Sequence, residues 1–233
     1  MKSPLNGIRI LDFTRFQQGP HGTVMLGDMG ADIIKVEAPN GGDLGRSLGL
    51  QPDGFCAYFE AHNRNKRSIT LDLQRPEAKE VIYDLVGQVD VTVENFRRGV
   101  MDRLGFGYEK FREINPRIIY ASASGYGPKG PLADRPSYDT IGQAMGGIMI
   151  AQAGGPGNDP ELIVGGLADQ VGSMMLAYGI TMALVARERH GVGQQVDVSL
   201  LGSQIALQGW GITRYLRQRN QPRVRPDSNP LFS

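Results

Sequence analysis

The sequence predicts an α/β fold in which a mostly parallel sheet is wrapped by helices. Short β-rich runs alternate with helical segments along the 233 residues, and this alternation is typical of parallel sheets. Residues 8–37 already form a strand–helix–strand unit. Glycine is abundant, at 32 residues, and many glycines stand where a predicted strand meets a helix, as tight turns require.

The predicted elements follow from hydrophobic period and from turn residues. The strands are residues 8–14, 31–37, 66–73, 89–95, 117–127 and the start of 194–219. The helices are residues 19–30, 76–88, 138–151, 169–190 and the remainder of 194–219, with helical turns around 98–104 and 108–115.

The long helix that follows Asp169 is predicted to be buried on most sides. One side carries an apolar stripe with a spacing of three and four residues, made of Val171, Met174, Met175, Tyr178, Met182 and Val185. The opposite side carries Leu176, Ile180 and Leu184, and a helix that is apolar nearly all round belongs in an interior. The basic residues before Gly191 fit the C-terminal end of this helix, where the helix dipole is negative, and Gly191 itself can end the helix in a left-handed conformation.

Asp169 lies at the start of this helix and allows two interpretations. Aspartate is a preferred N-cap residue, so the carboxylate could simply cap the helix. Alternatively, the helix dipole keeps a partly desolvated carboxylate ionised, which makes it a usable nucleophile. The two roles are compatible.

Composition excludes several classes of function. The formal net charge is +1, so no global basic field indicates nucleic acid. Cys56 is the only cysteine and the three histidines show no ligand spacing, so neither disulfides nor a metal site is predicted. The N-terminus lacks the apolar region of a signal peptide and no run is long enough for a membrane span, so we expect a soluble cytoplasmic protein.

The first strand-to-helix turn is a candidate ligand site. Gln17 and Gln18 stand there, before a helix N-terminus that could receive an anion. Glu37 ends the second strand, where a dinucleotide fold would hold a ribose. The turn is not G-x-G-x-x-G, because His21 occupies the place of the second glycine, so a nicotinamide or flavin site is only weakly supported.

Two basic runs next to strands could bind a phosphate-bearing ligand. The first contains Arg64, Lys66 and Arg67, and the second places Asn95 and Phe96 at a strand end before Arg97, Arg98 and Arg103. A solvated turn and a basic helix start explain them equally well. A glycine–proline loop after the fifth strand ends at Tyr138, which could donate a hydrogen bond in a site.

From "PLNGIRILDFTRFQQGP" onward the chain resembles the class III coenzyme A-transferases, a family that includes the α-methylacyl-CoA racemases. Six motifs in order carry the resemblance: "GADIIKVEAP", "NRNKRSITLDL", "VTVENFRRGVMDRLGFGYE", "NPRIIYASASGYG", "YDTIGQAMGG" and "GGLADQVG". The resemblance implies a Rossmann-like large domain, an open sheet with helices on both faces, and a second, smaller domain.

The resemblance also implies roles for individual residues. Asp169 matches the family's catalytic aspartate and Gln17 a glutamine beside the thioester. Positions that match the CoA site are Leu71, Asp72, Leu73, Gln74, Asn95, Phe96, Arg97 and Arg103, and a further ligand-contacting segment matches Arg135, Pro136, Ser137 and Tyr138. CoA and acyl-CoA would be substrates rather than permanently bound cofactors.

The implied reaction is transfer of CoA from an acyl-CoA to a free carboxylic acid. Asp169 would attack the thioester to give a mixed anhydride, and the CoA thiolate would then form an aspartyl–CoA thioester. The alternative within the family is racemisation, which needs an acid and a base on opposite faces of the substrate. The racemases carry a histidine where this sequence has Tyr138, and this difference favours transfer.

Members of the resembled family are longer than this chain. We therefore expect residues 1–219 to be the N-terminal portion of the large domain, and residues 220–233 to begin a linker to an absent small domain. The resemblance implies an interlocked homodimer for the full-length form. We expect weak or no turnover from this chain alone and an exposed apolar surface. A CoA-binding fragment without catalytic activity is the remaining alternative.

Overall fold

Six parallel strands form one open sheet at the centre of the molecule. The computed structural model of the protein describes residues 3–218. The strand order is β3-β2-β1-β4-β5-β6, and all five pairings are parallel. This is the doubly wound order of Rossmann-like folds, so the predicted fold class is confirmed.

The elements lie close to their predicted positions. The strands are β1 (Arg9–Asp12), β2 (Asp32–Glu37), β3 (Lys66–Thr70), β4 (Val91–Glu94), β5 (Ile119–Ser124) and β6 (Gln195–Ser199). The helices are α1 (Gln18–Asp28), α2 (Ala57–Asn63), α3 (Pro76–Val86), α4 (Val100–Leu104), α5 (Tyr108–Ile114), α6 (Asp139–Gly146), α7 (Ile148–Gln152), α8 (Leu167–His190), α9 (Leu200–Leu207) and α10 (Gly209–Gln218).

Besides shifts of up to three residues at the ends of elements, three features differ from the prediction. The helix expected over 138–151 is two helices, because Gly147 adopts φ +81, a left-handed conformation that interrupts α6 and begins α7. The helix expected after β6 is likewise divided between α9 and α10. Helix α2 was not predicted, since its seven residues carry no long apolar period.

The sheet separates two hydrophobic cores. On one face, Ile10 and Val93 pack with Ile180, so helices α1 and α8 cover this side. On the other face, Leu11 packs with Ile82 of α3 and Phe111 of α5. Neighbouring residues of β1 therefore point to opposite, equally buried faces, as expected for a strand inside a doubly wound sheet.

Helix α8 is buried on one side only, so the prediction of burial on most sides is wrong for this chain. Its sheet-facing side holds Leu176 and Ile180, both fully buried. The predicted apolar stripe faces outward, with Met174 55% and Tyr178 64% exposed. Within residues 3–218 nothing covers this stripe, which agrees with the expectation of an exposed apolar surface.

No helix in the described part of the chain is both long enough and apolar enough to cross a membrane.

Strands β1 and β4 are neighbours at the centre of the sheet, and from them successive strands are added in opposite directions. The crossover after β1 leads to β2 on one side, and the crossover after β4 leads to β5 on the other. Such a switch point opens a crevice at the carboxyl ends of the strands, where ligands bind in open α/β sheets. The fold therefore places the loops after β1 and β4 around one crevice.

Candidate active site

A cavity of about 280 Å³ lies in this crevice. It brings together most residues that the sequence singled out. The predicted residues that line it are Gln17, Gln18, Asn95, Phe96, Arg97, Arg135, Pro136, Ser137, Tyr138 and Asp169. The remaining predicted residues, Leu71, Asp72, Leu73, Gln74 and Arg103, do not line it.

Asp169 stands in the first turn of α8, and its side chain does not cap the helix. The N-cap is Gly166, in a left-handed conformation with φ +76. Because the helix begins at Leu167, the Asp169 carboxylate is free to line the cavity. Burial and the nearby charge of Asp139 raise the pKa of Asp169 to about 7. The carboxylate is therefore half ionised near neutral pH.

Gln17 packs against the loop that enters α8. Its side-chain amide Nε2 donates a hydrogen bond to the carbonyl oxygen of Gly165, at 3.2 Å. A Cβ atom on Gly166 would lie 2.4 Å from that Nε2 atom, so a side chain at residue 166 would displace the amide of Gln17. This contact holds a side-chain amide beside the turn that carries Asp169.

Gln18 is buried and contacts the same helix. Its backbone carbonyl accepts a hydrogen bond from the Ser173 hydroxyl, at 2.7 Å. A Cβ atom on Gly172 would lie 2.5 Å from Nε2 of Gln18. Within residues 3–218 this Nε2 has no hydrogen-bond partner. This donor is therefore both unpaired and shielded from solvent beside α8.

Asn95 joins the two loops that form the crevice. Its side chain accepts a hydrogen bond from the backbone N–H of Arg15 at 2.8 Å and donates one to the Arg15 carbonyl at 2.7 Å. The Arg15 guanidinium in turn lies over the Phe96 ring, 4.5 Å from its centre. The amide of Asn95 is therefore occupied by the fold, and it fixes the ends of β1 and β4 relative to each other.

Sequence reasoning missed Arg15 and Phe16, which also line the cavity. Phe16 contacts Tyr138 edge-to-face, with ring centres 6.3 Å apart. Phe16 has φ +65, which is rare for a residue with a side chain. Their position beside Gln17 in the first strand-to-helix turn was the available signal.

The segment Leu71–Gln74 lies at a second cavity, of about 960 Å³, beyond the ends of β2 and β3. Leu71, Asp72 and Gln74 line it, whereas Leu73 packs against the hydrophobic core under α3. Arg103 is exposed on α4, outside both cavities. The structure thus divides most of the predicted CoA-contacting residues between two cavities at the carboxyl ends of the strands, and places Leu73 and Arg103 in neither.

The basic run after α2 is used in ion pairs. Arg64 pairs with Asp28, with 2.5 Å between the charged atoms, and Arg67 pairs with Asp32 at 2.7 Å. Lys66 is 3.0 Å from Asp12 and both side chains are buried. The phosphate-binding interpretation of this run is therefore not supported.

Buried charged groups surround Asp12 at the end of β1. Burial would raise the pKa of Asp12, but the ammonium groups of Lys66 and Lys35 and the hydroxyls of Thr14 and Thr23 hold it well below its usual range. Lys35 also lies 2.8 Å from Asp43. Removing one partner of such a pair leaves an uncompensated buried charge.

The Glu37 carboxylate is not available to bind a ribose, because other side chains of the protein occupy it. Its carboxylate forms two hydrogen bonds with Arg46, at 2.7 and 2.8 Å, and accepts a third from the Ser68 hydroxyl, at 2.6 Å. Although burial opposes ionisation, these donors lower the pKa of Glu37 to about 2. The structure therefore removes the one residue that supported a nicotinamide or flavin site.

The cavity can support nucleophilic chemistry on a carbonyl. It combines a half-buried carboxylate with amide donors from Gln17 and Gln18 and with the guanidinium groups of Arg97 and Arg135 on its wall. A carboxylate can attack an activated acyl group, amides can stabilise the resulting oxyanion, and guanidinium groups can bind phosphate or carboxylate.

Comparison with known proteins identifies relatives of the chain. The family model described as CoA-transferase family III matches residues 5–231. An acetyl-CoA:oxalate CoA-transferase from Acetobacter aceti is 46% identical over 206 residues, covering 88% of this chain and 53% of the relative. A formyl-CoA:oxalate CoA-transferase from Afipia carboxidovorans is 44% identical, covering 89% of this chain and 49% of the relative.

A solved structure is also similar. A CAIB/BAIF family protein from Brucella suis superposes with a TM-score of 0.91 at 37% identity, covering 99% of this chain and 63% of that one. The chain spans about half the length of the two curated relatives.

Proposed function

The chain belongs to CoA-transferase family III, and from this we propose that it carries the reacting carboxylate of a CoA-transferase, Asp169. The enzyme would transfer CoA from an acyl-CoA to a free carboxylic acid. The observation that carries the proposal is the convergence of Asp169 with Gln17, Gln18 and Arg135 on one cavity at the switch point of the sheet.

The reaction would proceed in two matched halves. The Asp169 carboxylate attacks the thioester carbonyl and expels CoA thiolate, which leaves a mixed anhydride on the aspartyl group. The thiolate then attacks the aspartyl carbonyl, releasing the first carboxylic acid and leaving an aspartyl–CoA thioester. A second carboxylate reverses both steps and departs as the new acyl-CoA. Each acyl bond that breaks, thioester or anhydride, is replaced by an acyl bond of similar reactivity. The reaction therefore consumes no ATP.

Gln17 and Gln18 would stabilise the tetrahedral oxyanions. Each tetrahedral step concentrates negative charge on one oxygen, and preorganised amide donors lower its energy. Gln18 lines the cavity, and its Nε2 group has no hydrogen-bond partner within residues 3–218. The Nε2 group of Gln17 lies beside the loop that leads to Asp169.

The CoA moiety would extend along the carboxyl edge of the sheet. Its reactive end would lie in the cavity of Asp169, near Arg97 and Arg135. Its nucleotide end would reach the second cavity, which is lined by Leu71, Asp72 and Gln74. Both cavities open at the same edge of the sheet, which supports an elongated ligand. Oxalate is the acceptor named for two relatives, and we propose a small carboxylic acid as the acceptor here.

Racemisation finds less support in the cavity. It needs a second acid–base group opposite Asp169, and none of the cavity-lining residues within 3–218 is a histidine. His21 and His62 instead contact each other, with ring centres 5.4 Å apart.

The assembly and the activity of the isolated chain belong to the same proposal. We propose a homodimer for the full-length enzyme, in which the exposed stripe of α8 is covered. The 233-residue chain alone would then turn over weakly or not at all, because half the length of its curated relatives is outside it.

Covalent trapping tests the proposal without requiring turnover. The chain is incubated with acetyl-CoA, hydroxylamine is added, and peptides are examined by mass spectrometry. An aspartyl anhydride or thioester gives a hydroxamate, which we expect on Asp169 and on no other residue. Asp169→Ala should abolish it, and Glu161→Ala, an exposed acid on the preceding loop, should not.

Other outcomes would favour the alternatives. Exchange of the substrate α-hydrogen for deuterium without a hydroxamate would indicate a racemase. Binding of CoA with neither signal would indicate a binding fragment, and a hydroxamate that persists in Asp169→Ala would contradict the assignment of the nucleophile.

A further inference from the structure

We propose that Asp139 is a positioning residue whose carboxylate holds the first turn of α8 and thereby directs Asp169 into the cavity. The inference rests on the proposed function of Asp169. Asp139 begins α6, thirty residues before Asp169 in the sequence, and it does not line the cavity.

The contact with α8 is direct. Oδ1 of Asp139 accepts hydrogen bonds from the backbone N–H groups of Ala168, at 2.7 Å, and of Asp169, at 3.2 Å. The first N–H groups of a helix have no partner within the helix. The N-cap of α8 is Gly166, which has no side chain to supply one. Asp139 therefore performs from another helix the task that an N-cap side chain usually performs.

Gln143 fixes the orientation of Asp139. Its Nε2 group donates to Oδ2 of Asp139 at 2.7 Å and to the carbonyl of Ile163 at 2.9 Å. The backbone N–H of Ile163 donates to Oε1 of Gln143 at 3.0 Å. Both contacts with Ile163 would be lost if the amide were rotated, so Gln143 must present a donor to Asp139. Gln143 is fully buried, so water does not compete for these bonds.

The arrangement also places two carboxylates close together. The charge of Asp139, after burial, contributes to the raised pKa of Asp169. When Asp169 becomes an anhydride or thioester it loses its charge, and the repulsion from Asp139 is relieved. The Asp139 carboxylate therefore favours the acylated state of Asp169 over the free carboxylate, besides holding its backbone.

Several ionisable groups besides Asp139 lie near Asp169. Those that line the cavity are Arg15, Arg97, Arg98, Asp134 and Arg135. The hydroxyl of Tyr58 has a pKa raised by burial and by the Asp169 charge, so it is neutral through the range of interest. A shift in the titration of Asp169 that follows substitution of Asp139 alone is therefore attributable to Asp139.

The test compares Asp139→Asn, Asp139→Ala and the control Asp159→Asn in the purified chain. Asp159 is exposed on the loop before α8, so its variant removes the same charge from a position without these contacts. The titration of Asp169 is followed by carboxyl-carbon NMR, with Asp169→Asn identifying the signal. Hydrogen exchange reports the N–H groups of Ala168 and Asp169.

We expect Asp139→Asn to lower the pKa of Asp169 by on the order of 1 unit, because it removes a nearby like charge. Asp139→Ala should also accelerate amide exchange at residues 168 and 169 by about tenfold, since it removes their acceptor. Asp159→Asn should change neither. The pH at which hydroxamate formation on Asp169 is half maximal should move down with the pKa in Asp139→Asn.

An unchanged Asp169 titration in Asp139→Asn, together with unchanged amide exchange in Asp139→Ala, would overturn the proposal. Neither measurement uses acyl-CoA. A chain that shows both effects but forms no hydroxamate would support the positioning role and reject the proposed function, so the two failures are distinguishable.

Discussion

Glu94 shows at the scale of one residue how the fold changes the chemistry of a side chain. It ends β4 and is only 8% exposed. It accepts a hydrogen bond from the backbone N–H of Phe96, at 2.8 Å, and contacts the Ser122 hydroxyl. Burial raises its pKa to about 8 against the opposing effect of the Phe96 hydrogen bond, and the charges of Asp197 and Asp102 add smaller contributions in the same direction as burial. Glu94 is therefore mostly protonated at neutral pH.

This raised pKa predicts a pH-dependent stability. In the unfolded chain Glu94 ionises near 4.5, so the stabilising neutral form is fully present below that pH and is lost as pH rises through about 8. Glu94→Gln keeps both hydrogen-bonding partners and cannot ionise. We expect its free energy of unfolding to fall less between pH 6 and pH 9 than that of the original chain, as measured by urea denaturation.

Glu113→Gln is the matched control for this experiment. Glu113 is exposed, with a surface pair to Lys110, so its pH profile should follow that of the original chain. Parallel profiles for Glu94→Gln and Glu113→Gln would contradict the assignment of a raised pKa to Glu94.

The sequence could predict those residues of the candidate site that lie in a loop or at the start of a helix. Gln17 and Asp169 carry their signal locally, Gln17 as a polar residue in a strand-to-helix turn and Asp169 as an acid at a helix start that follows two glycines. Asp139 carries none, because its partners are backbone N–H groups thirty residues away. Arg103 matched the resembled family's motif, yet the structure leaves it outside both cavities, and its proposed contact with CoA stays a prediction.

At the scale of the element, the entry to α8 depends on two consecutive glycines with different surroundings. Gly165 and Gly166 both adopt left-handed φ values, +87 and +76. A Cβ atom at residue 165 would meet nothing within 4 Å, whereas one at 166 would lie 2.4 Å from Nε2 of Gln17. Alanine at either position would therefore adopt a similarly strained backbone conformation. Only at residue 166 would its Cβ atom also collide with the side chain of Gln17.

We predict that Gly166→Ala reduces hydroxamate formation on Asp169 by about tenfold or more, because displacing Gln17 disturbs the reacting geometry. Gly165→Ala should lower the melting temperature by a similar amount and leave most of the labelling intact. Melting curves and peptide mass spectrometry on both variants provide the comparison. Equal loss of labelling in the two would mean that backbone strain, rather than Gln17, limits the reaction.

Most elements could be predicted because their hydrophobic period is long enough to distinguish strand from helix. Strand β2 and helix α3 lie within two residues of their predicted bounds. Helix α2 could not be predicted in this way, because a seven-residue helix has little intrinsic stability. It is held by tertiary contacts with α1, such as the edge-to-face contact of His62 with His21, whose ring centres are 5.4 Å apart.

At the scale of the whole molecule, the outward face of α8 is the feature that most needs a partner. Met174, Tyr178 and Met182 are 55%, 64% and 43% exposed and lie on one stripe. Scattered apolar residues are normal on a protein surface, but a contiguous stripe marks an interface. The proposed homodimer and the remaining length of the relatives both offer a cover for it.

We predict that the isolated chain self-associates through this stripe. Tyr178→Ser combined with Met182→Ser should shift sedimentation-velocity profiles toward the monomer at concentrations where the original chain associates. The control pair, Met29→Ser with Val81→Ser, removes two apolar residues that are 50% and 38% exposed, one directly after α1 and one on α3, and should not change the profile. A strictly monomeric original chain would contradict the prediction.

The sequence by itself determined the fold class and the family, and it indicated the residue proposed as nucleophile. Each of these depends on local patterns: period, glycine position and the order of short motifs. The tertiary structure decided which residues share a cavity, since the switch point alone brings the loops after β1 and β4 together. It also decided that Glu37 pairs with Arg46 and Lys66 with Asp12, that Glu94 is mostly protonated at neutral pH and that one side of α8 is exposed. These properties depend on burial and on neighbours distant in sequence, which no local pattern contains.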